Sequence, residues 1–548
     1  MIYLLLILLS LRPFICEQTA VKDEMFFNAF LFLLIFISFF IKRKIVIKSS
    51  GGCWALIPLV TFLLGSLCFS KTYISFNEII QVLTNVCLFV FALTLNKKEL
   101  RFFISAAILV GIVISSRAIY QYVHGFAYIA EHSSIAAAGF YAQDMISQRR
   151  VVGWFSGPNI LAGYILMLAA VCFAHIVEFL KEGNKRQLRA FCFAGLFLFA
   201  ALLATKAVSA IFSLIAGLSV FAVIILKKNI LLRKIIIGMI FFMICCSGFV
   251  FMNRINCFLN LNNSNNSLTQ RVNYWTSSIL MIKENPIAGV GAGNFGLVYP
   301  RFKKTSANET NYAHNLFLQL WVENGIFYLA CFVLFLMCLF KHLFSEKEDC
   351  LKLGLALGCA AFLIYNMFDF SFFVSQASHL WWIFAACGLA WGKEDGRIEH
   401  GQNNEKKEIF FKFVFCGIIL FLTFNFFIRY SSECELNKGI DFLKDKKYDQ
   451  ASLAIRKSLR VTPKNDYGHY LLAITYEKSN SGIFSDEVIE QYKKAISLNP
   501  GYAYYYYYLA DYFRINKKYQ EAQEFLKKAL IFYPQNDKFL SEMKSLEY

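Results

Sequence analysis

The sequence predicts an all-α protein: a polytopic membrane bundle of about 12–13 transmembrane helices, then a helical-repeat domain outside the bilayer. Three observations point there. The 548 residues are 57% hydrophobic and include 59 Phe, a composition that fits membrane-embedded helices and not a series of soluble cores. Apolar runs long enough to cross a hydrocarbon layer of about 30 Å recur along the chain. Beyond residue 430 those runs stop, and similar segments recur 34 residues apart.

The apolar runs fall near 2–16, 25–41, 53–70, 78–95, 102–122, 158–179, 188–204, 207–226, 234–252, 315–341, 352–369, 376–392 and 409–428. The first resembles a signal-peptide core but lacks a basic leader and a small-x-small cleavage site, so it is read as a retained span. Basic clusters at Lys42-Arg43-Lys44, Lys97-Lys98, Lys181 to Arg189, Lys227 to Lys234, Lys341 to Lys352 and Lys393 to Lys407 occupy every second gap. By the positive-inside rule these gaps and the N-terminus face the cytoplasm. The remaining gaps, 123–157, the turn at Thr205-Lys206, 253–314 and everything after 428, then share the outer face, which is the periplasm of a Gram-negative inner membrane. A division follows: a membrane domain over 1–430 with a large outer loop at 253–314, and an outer domain over 431–548.

The net charge of +18 lies in short runs between apolar segments. There it sets topology and meets anionic lipid head groups of the bilayer, and no nucleic-acid partner is expected. Most of the 16 cysteines sit inside apolar segments, without CxxC pairs or His/Cys ligand spacing. They read as small buried hydrophobes, so neither a metal site nor a cofactor is expected.

In the outer domain, Tyr448-Asp449-Gln450-Ala451 and Tyr519-Gln520-Glu521-Ala522 open helices. Ala495-Ile496-Ser497-Leu498-Asn499-Pro500 and Ala529-Leu530-Ile531-Phe532-Tyr533-Pro534 close them. Period, small residues and closing prolines resemble about three tetratricopeptide (TPR) helix pairs. Such an array offers a concave surface to a protein partner or a glycan, with aromatic area from Tyr504 to Tyr508, or serves as a rigid cap.

Four outer segments carry residues suited to an anionic, lipid-linked substrate. Arg149-Arg150 precede Gly153 and a helix opened by Pro158-Asn159, so a helix N-terminus faces two guanidiniums, a plausible diphosphate clamp or simply a capped helix. Lys206 is a cation on the outer side, against the charge trend. Arg271 lies in the large loop ahead of Trp275, and its planar fork suits bidentate phosphate contact. The same loop continues into Gly289-Val290-Gly291-Ala292-Gly293-Asn294-Phe295, where backbone amides can approach a ligand. His314 ends the loop. A histidine titrates near neutrality and can take a proton from a hydroxyl, though one at this place can equally cap a helix or sit at the interface. Glu323, inside a span, is costly unless paired and reads as a structural partner.

Together, Arg150-x-x-Gly153 with Gly157-Pro158-Asn159-x-Leu161-Ala162-Gly163, Thr205-Lys206-Ala207, Arg271-x-x-x-Trp275 with the glycine-rich segment, and His314-Asn315-x-x-Leu318-Gln319 resemble the O-antigen ligase / O-antigen polymerase superfamily of membrane glycosyltransferases. The resemblance covers about 150–340. Lys206 departs from it, standing where an arginine is usual, and spacing to Gly153 favours Arg150 over Arg149 as the motif residue. The resemblance implies metal-independent transfer of a glycan from an undecaprenyl-diphosphate carrier to an acceptor hydroxyl, on lipid A core (a ligase), a growing glycan (a polymerase) or a protein (an O-oligosaccharyltransferase). It further implies that Arg150, Lys206 and Arg271, with Arg149 adjacent, bind the donor diphosphate, and that His314 acts on the acceptor. The rival class is a flippase or transporter for lipid-linked sugars. That class calls for charged residues at mid-membrane on several helices, and here Glu323 and Asp369 are among few candidates.

Overall fold

The computed structural model describes residues 2–15, 21–41, 72–132, 145–225, 234, 237–248, 266–345, 349–391, 402–479 and 484–546. Among these the protein is helical throughout, with no strand. Seven helices are long and apolar enough to cross a membrane: Val21–Ile41, Ile74–Leu93, Lys97–Ile129, Pro158–Glu182, Lys185–Thr205, Leu316–Leu343 and Ile409–Lys444. Shorter apolar helices are Ile2–Phe14, Val208–Val223, Ile237–Gly248 and Cys350–Tyr365, and the helix Ser375–Ala390 is buried along its whole length. The expected span at 53–70 and the basic cluster at 42–44 lie outside the described residues, as do 133–144, 253–265 and parts of the clusters at 227–234 and 393–407.

Small residues bring the bundle's central helices together. Cβ atoms added at Gly354 and Gly358 would lie 2.3 Å from Ala174 Cβ and 3.2 Å from Met167 O, so Cys350–Tyr365 packs directly on Pro158–Glu182. Close backbone approach of this kind gives membrane helices their van der Waals contact. It also fixes Tyr365, whose hydroxyl donates to Asn159 O at 2.9 Å. The Cys350–Tyr365 helix stops earlier than the apolar run 352–369 predicts. Asn366 takes the Phe372 amide on Oδ1 and donates to Phe362 O, both at 2.8 Å, and turns the chain back into the bundle.

The expected inner and outer gaps gather at opposite ends. At one, Lys97 and Arg101 lie over the Trp391 ring, and Trp391 donates to Asp349. At the other, Val151 N bonds Ala204 O at 3.3 Å and Leu316 N bonds Asn366 O at 2.8 Å. Near the N-terminus, Arg12 and Glu24 form a buried ion pair at 2.5 Å, which offsets the cost of burying either charge alone.

The helix Gln402–Lys444 runs from the membrane region into the repeats. Its end pairs with Tyr448–Val461. The pairs Asp466–Ser479 with Asp486–Leu498, and Ala503–Ile515 with Tyr519–Phe532, follow, and Asp537–Ser545 closes the array. This agrees with three helix pairs. The tyrosine run contributes less surface than the sequence suggests. Tyr505, Tyr506 and Tyr507 are buried, with hydroxyls donating to Asp466, Pro500 O and Glu542; Tyr504 and Tyr508 are half-exposed.

Candidate active site

From residue 266 on, the large loop forms two helices, Ser267–Glu284 and Phe295–Phe302, joined by the glycine-rich segment. That segment is locked to a break in the helix Leu316–Leu343, where Gly325 takes φ 78° and ψ 176°. The break frees carbonyls that the loop satisfies: Val290 N bonds Val322 O at 2.8 Å and Gly291 N bonds Glu323 O at 2.9 Å, while Ile326 N bonds Pro286 O at 3.1 Å. Phe295 N donates to the Glu323 carboxylate at 3.3 Å. From the sequence alone these amides are expected to face a ligand. In the structure the acidic group beside them is Glu323 of the protein itself, and the glycines permit the backbones to touch. A Cβ at Gly325 would lie 1.8 Å from Ile287 O. Gly325→Ala is therefore expected to cost more than the roughly 1–3 kcal/mol of backbone strain alone, seen as a clear drop in Tm in detergent; an unchanged Tm would show the break to be dispensable.

Glu323 also sets the approach to His314. It accepts from Gln319 Nε2 at 2.8 Å, and Gln319 Oε1 accepts from Ala313 N at 2.6 Å. A carboxylate–amide–backbone relay thus holds the residue before His314. His314 takes a left-handed φ of 51°, rare for a side chain with a Cβ and characteristic of sites where the surroundings over-determine the backbone. Its ring stacks on Tyr274 at 5.2 Å and meets Phe370 edge-on at 4.9 Å. Nδ1 is buried without a hydrogen-bond partner among the described residues. Burial, and then the Arg271 charge, push the imidazole down to about 3, so it is neutral at physiological pH.

Arg271 is partly exposed and fixed by Nε donating to Phe368 O at 2.8 Å and Nη1 to Ser267 O at 3.3 Å. Desolvation lowers its pKa; the Asp369 and Tyr365 charges oppose that, and Arg150 reinforces it. Arg150 is therefore close enough to be felt. It is buried, with Nε on Thr205 O at 3.2 Å and Nη2 on Asn159 Oδ1 at 2.7 Å. Its neighbour Arg149 is exposed. Lys206 caps its helix with φ 54° and donates to Gln148 O at 2.6 Å, tying the turn to the segment that carries both arginines.

The fold thus collects Arg150, Arg271 and His314 around the turn 365–371, with Lys206 and Arg149 at the side of Arg150. Asp369 was passed over as a site residue in the sequence, because it ends an apolar run. It is fully buried; its Oδ1 accepts from Ser371 N at 3.0 Å and Ser371 Oγ at 2.5 Å, and Oδ2 is buried without a hydrogen bond among the described residues. The one signal available was a carboxylate that a membrane helix does not tolerate without a partner.

Fold and site define a multi-pass membrane protein with two guanidiniums, a counter-carboxylate and a neutral imidazole at one end of its bundle. Residues 193–333 match the O-antigen ligase family, and residues 491–524 match the tetratricopeptide repeat; the chain therefore carries a segment similar to that family, about a quarter of its length, and a C-terminal TPR region. The first match supports glycan transfer of ligase or polymerase type. It takes in Lys206, Arg271, the glycine segment and His314, while Arg149 and Arg150 lie upstream of it. Comparison with curated proteins finds no match. Among solved structures, the first TPR domain of Spaghetti (RPAP3), bound to an HSP90 peptide, is 20% identical over 21% of this chain and 90% of that one, with a TM-score of 0.20.

Proposed function

We propose that this protein transfers a glycan from an undecaprenyl-diphosphate carrier to an acceptor hydroxyl at the periplasmic face of the inner membrane, as an O-antigen ligase does. The N-terminus is then cytoplasmic and the TPR domain periplasmic. The observation that carries this reading is the meeting of Arg271, Arg150 and His314, from three distant segments, around one buried carboxylate.

In this reading Arg150 and Arg271 bind the donor diphosphate, with Lys206 and Arg149 adding positive charge. Fixed cations, of which Arg150 is buried, stabilise the charge that develops on the leaving group, and no metal is needed. Asp369 lies near enough to Arg271 for its charge to act on the guanidinium, which Phe368 O and Ser267 O hold in place. His314 receives the acceptor hydroxyl proton as the oxygen bonds the anomeric carbon. The carbon–oxygen bond to the diphosphate breaks on the opposite face, its electron pair leaving on the phosphate oxygen, and the sugar is inverted. An imidazole held near pKa 3 is a weak base. A bound diphosphate neutralises Arg271, removes the second cause of the depression and provides a counter-charge to imidazolium.

A pH dependence follows. Free His314 is unprotonated from neutrality down through 6.5, where an ordinary histidine gains its proton. The kcat/KM for transfer is therefore expected to lack an acid limb at 6.5 and to hold to about pH 5, whereas the limb in kcat moves to higher pH. A limb in kcat/KM at 6.5 that vanishes in His314→Gln would contradict a buried neutral imidazole.

The acceptor decides the name of the enzyme. Transfer is to be measured in EDTA-treated proteoliposomes holding undecaprenyl-diphosphate glycan, with lipid A core, free glycan and periplasmic protein offered separately. Label on lipid A core is the expected result. Label on glycan or on protein reassigns the protein to polymerase or O-oligosaccharyltransferase activity, and the TPR domain gives the protein acceptor some support. Loss of all transfer in EDTA would contradict a metal-independent mechanism.

A further inference from the structure

Tyrosines of the repeats form a track of touching rings that ends on the loop bearing the candidate site; Tyr505 and Tyr533 are buried and back it, and the other rings carry its open face. Ring centroids are 5.9 Å apart from Tyr467 to Tyr470, 5.4 Å from Tyr470 to Tyr505, 4.6 Å from Tyr505 to Tyr502, 5.7 Å from Tyr502 to Tyr504 and 6.5 Å from Tyr504 to Tyr533. Tyr508 fills the side of the track, 5.1 Å from Tyr470. Tyr467 and Tyr502 are 46% and 38% exposed, large aromatic surfaces for a soluble domain. Tyr470, Tyr504 and Tyr508 are half-exposed between them.

At its far end the track meets the large loop. The Tyr533 hydroxyl donates to Glu309, Lys303 Nζ pairs with Glu309 at 2.7 Å and lies 5.3 Å from the Tyr533 ring, and Thr305 donates to Gln535 at 3.0 Å. A Cβ added at Gly501, beside Tyr502, would lie 3.8 Å from Leu297 Cβ. The same loop leads inward: Asn308 N donates to Gln270, Tyr299 donates to Asn308 O, and Tyr299 meets Tyr274, on which His314 stacks.

We propose that this tyrosine track is a glycan-binding surface, which holds an uncharged pyranose chain and leads it to the loop carrying His314. A pyranose presents an apolar face of C–H bonds and a rim of hydroxyls. An aromatic face with a phenol at its edge matches both. A peptide occupant fits less well, because Asn465, Asn499 and Asn536 each commit at least one amide atom within the repeats, while Asn499 Oδ1 is buried without a hydrogen bond among the described residues. Asn465 accepts from Gly468 N, Asn499 donates to Asp466, and Asn536 accepts from Phe539 N and donates to Tyr504. The inference rests on the reading that a glycan is handled at the loop, and its test is a binding measurement that needs no transfer.

The full-length protein in nanodiscs is to be titrated with oligosaccharide released by mild acid from the host's own lipid-linked donor. Saturation-transfer NMR gives the bound protons, and a random-sequence peptide pool serves as competitor. Tyr467→Ala/Tyr502→Ala, both at exposed positions, is expected to weaken oligosaccharide binding about tenfold. Tyr467→Trp/Tyr502→Trp, which keeps a ring at each place, is expected to bind as the wild type does. Equal binding by the double alanine variant, no binding by the wild type, or displacement by the peptide pool would each overturn the proposal. Track binding in a protein without transferase activity would leave the proposal standing and remove the reading of the chemistry instead.

Discussion

His314→Ala is expected to lower glycan transfer by about 10²–10⁴-fold, the range that a positioned general base contributes, while the protein still folds and binds donor. The loss follows from what holds the residue. The Glu323–Gln319–Ala313 relay fixes the backbone before it, and Tyr274 and Phe370 fix the ring, so no neighbouring group in that relay can replace the imidazole. The substitution leaves a small gap between two aromatic rings and breaks no hydrogen bond shown for His314. Helical content and Tm close to those of the wild type should accompany the loss, and residual binding of undecaprenyl-diphosphate glycan should match the wild type within a few-fold. Retained transfer in a folded His314→Ala protein would remove the proposed base.

Arg271→Ala is expected to cost about 10²–10³-fold in kcat, as loss of one fixed donor to a developing negative charge does elsewhere, and to raise KM for the donor as well. The two effects belong together because Arg271 meets the diphosphate both before and during bond cleavage. Arg271→Lys separates charge from geometry. It keeps the cation but cannot reach Phe368 O and a phosphate with one planar fork, so partial recovery is expected. A second effect tests the electrostatics directly. With Arg271 gone, one cause of the low His314 pKa disappears, and the acid limb of kcat/KM in the residual activity should move up in pH. An Arg271→Ala protein that transfers glycan at the wild-type rate would dismiss the donor assignment.

These residues were legible in the sequence for a physical reason. Arg150, Lys206, Arg271 and His314 are charged or titratable groups in gaps between apolar runs, and the alternation of basic clusters assigns those gaps to one side. The turn 366–371 was not legible. Hydropathy runs smoothly from Leu353 to Phe372 and carries a helix through Asp369, whereas the break depends on Asn366 reaching Phe372 N and Phe362 O, and a window average does not register two hydrogen bonds. The glycine-rich segment was located correctly and its partner was not. Glycine announces close approach but not what approaches, and the break at Gly325 that receives Val290 and Gly291 lies more than thirty residues on. In the repeats, a run of five tyrosines says nothing of which face each occupies until the helix Ala503–Ile515 is set against its neighbours.

The most direct measurement follows both products of one turnover. Purified protein, in excess over undecaprenyl-diphosphate glycan in EDTA-treated proteoliposomes, is mixed with acceptor, and free undecaprenyl diphosphate and glycosylated acceptor are quantified together by mass spectrometry. Glycan transfer at this site predicts that the two appear in equal amounts and at one rate with the wild type, and that both are lost in His314→Ala. Intact lipid-linked glycan carried from one leaflet to the other, with no diphosphate released, would contradict it and identify a transporter.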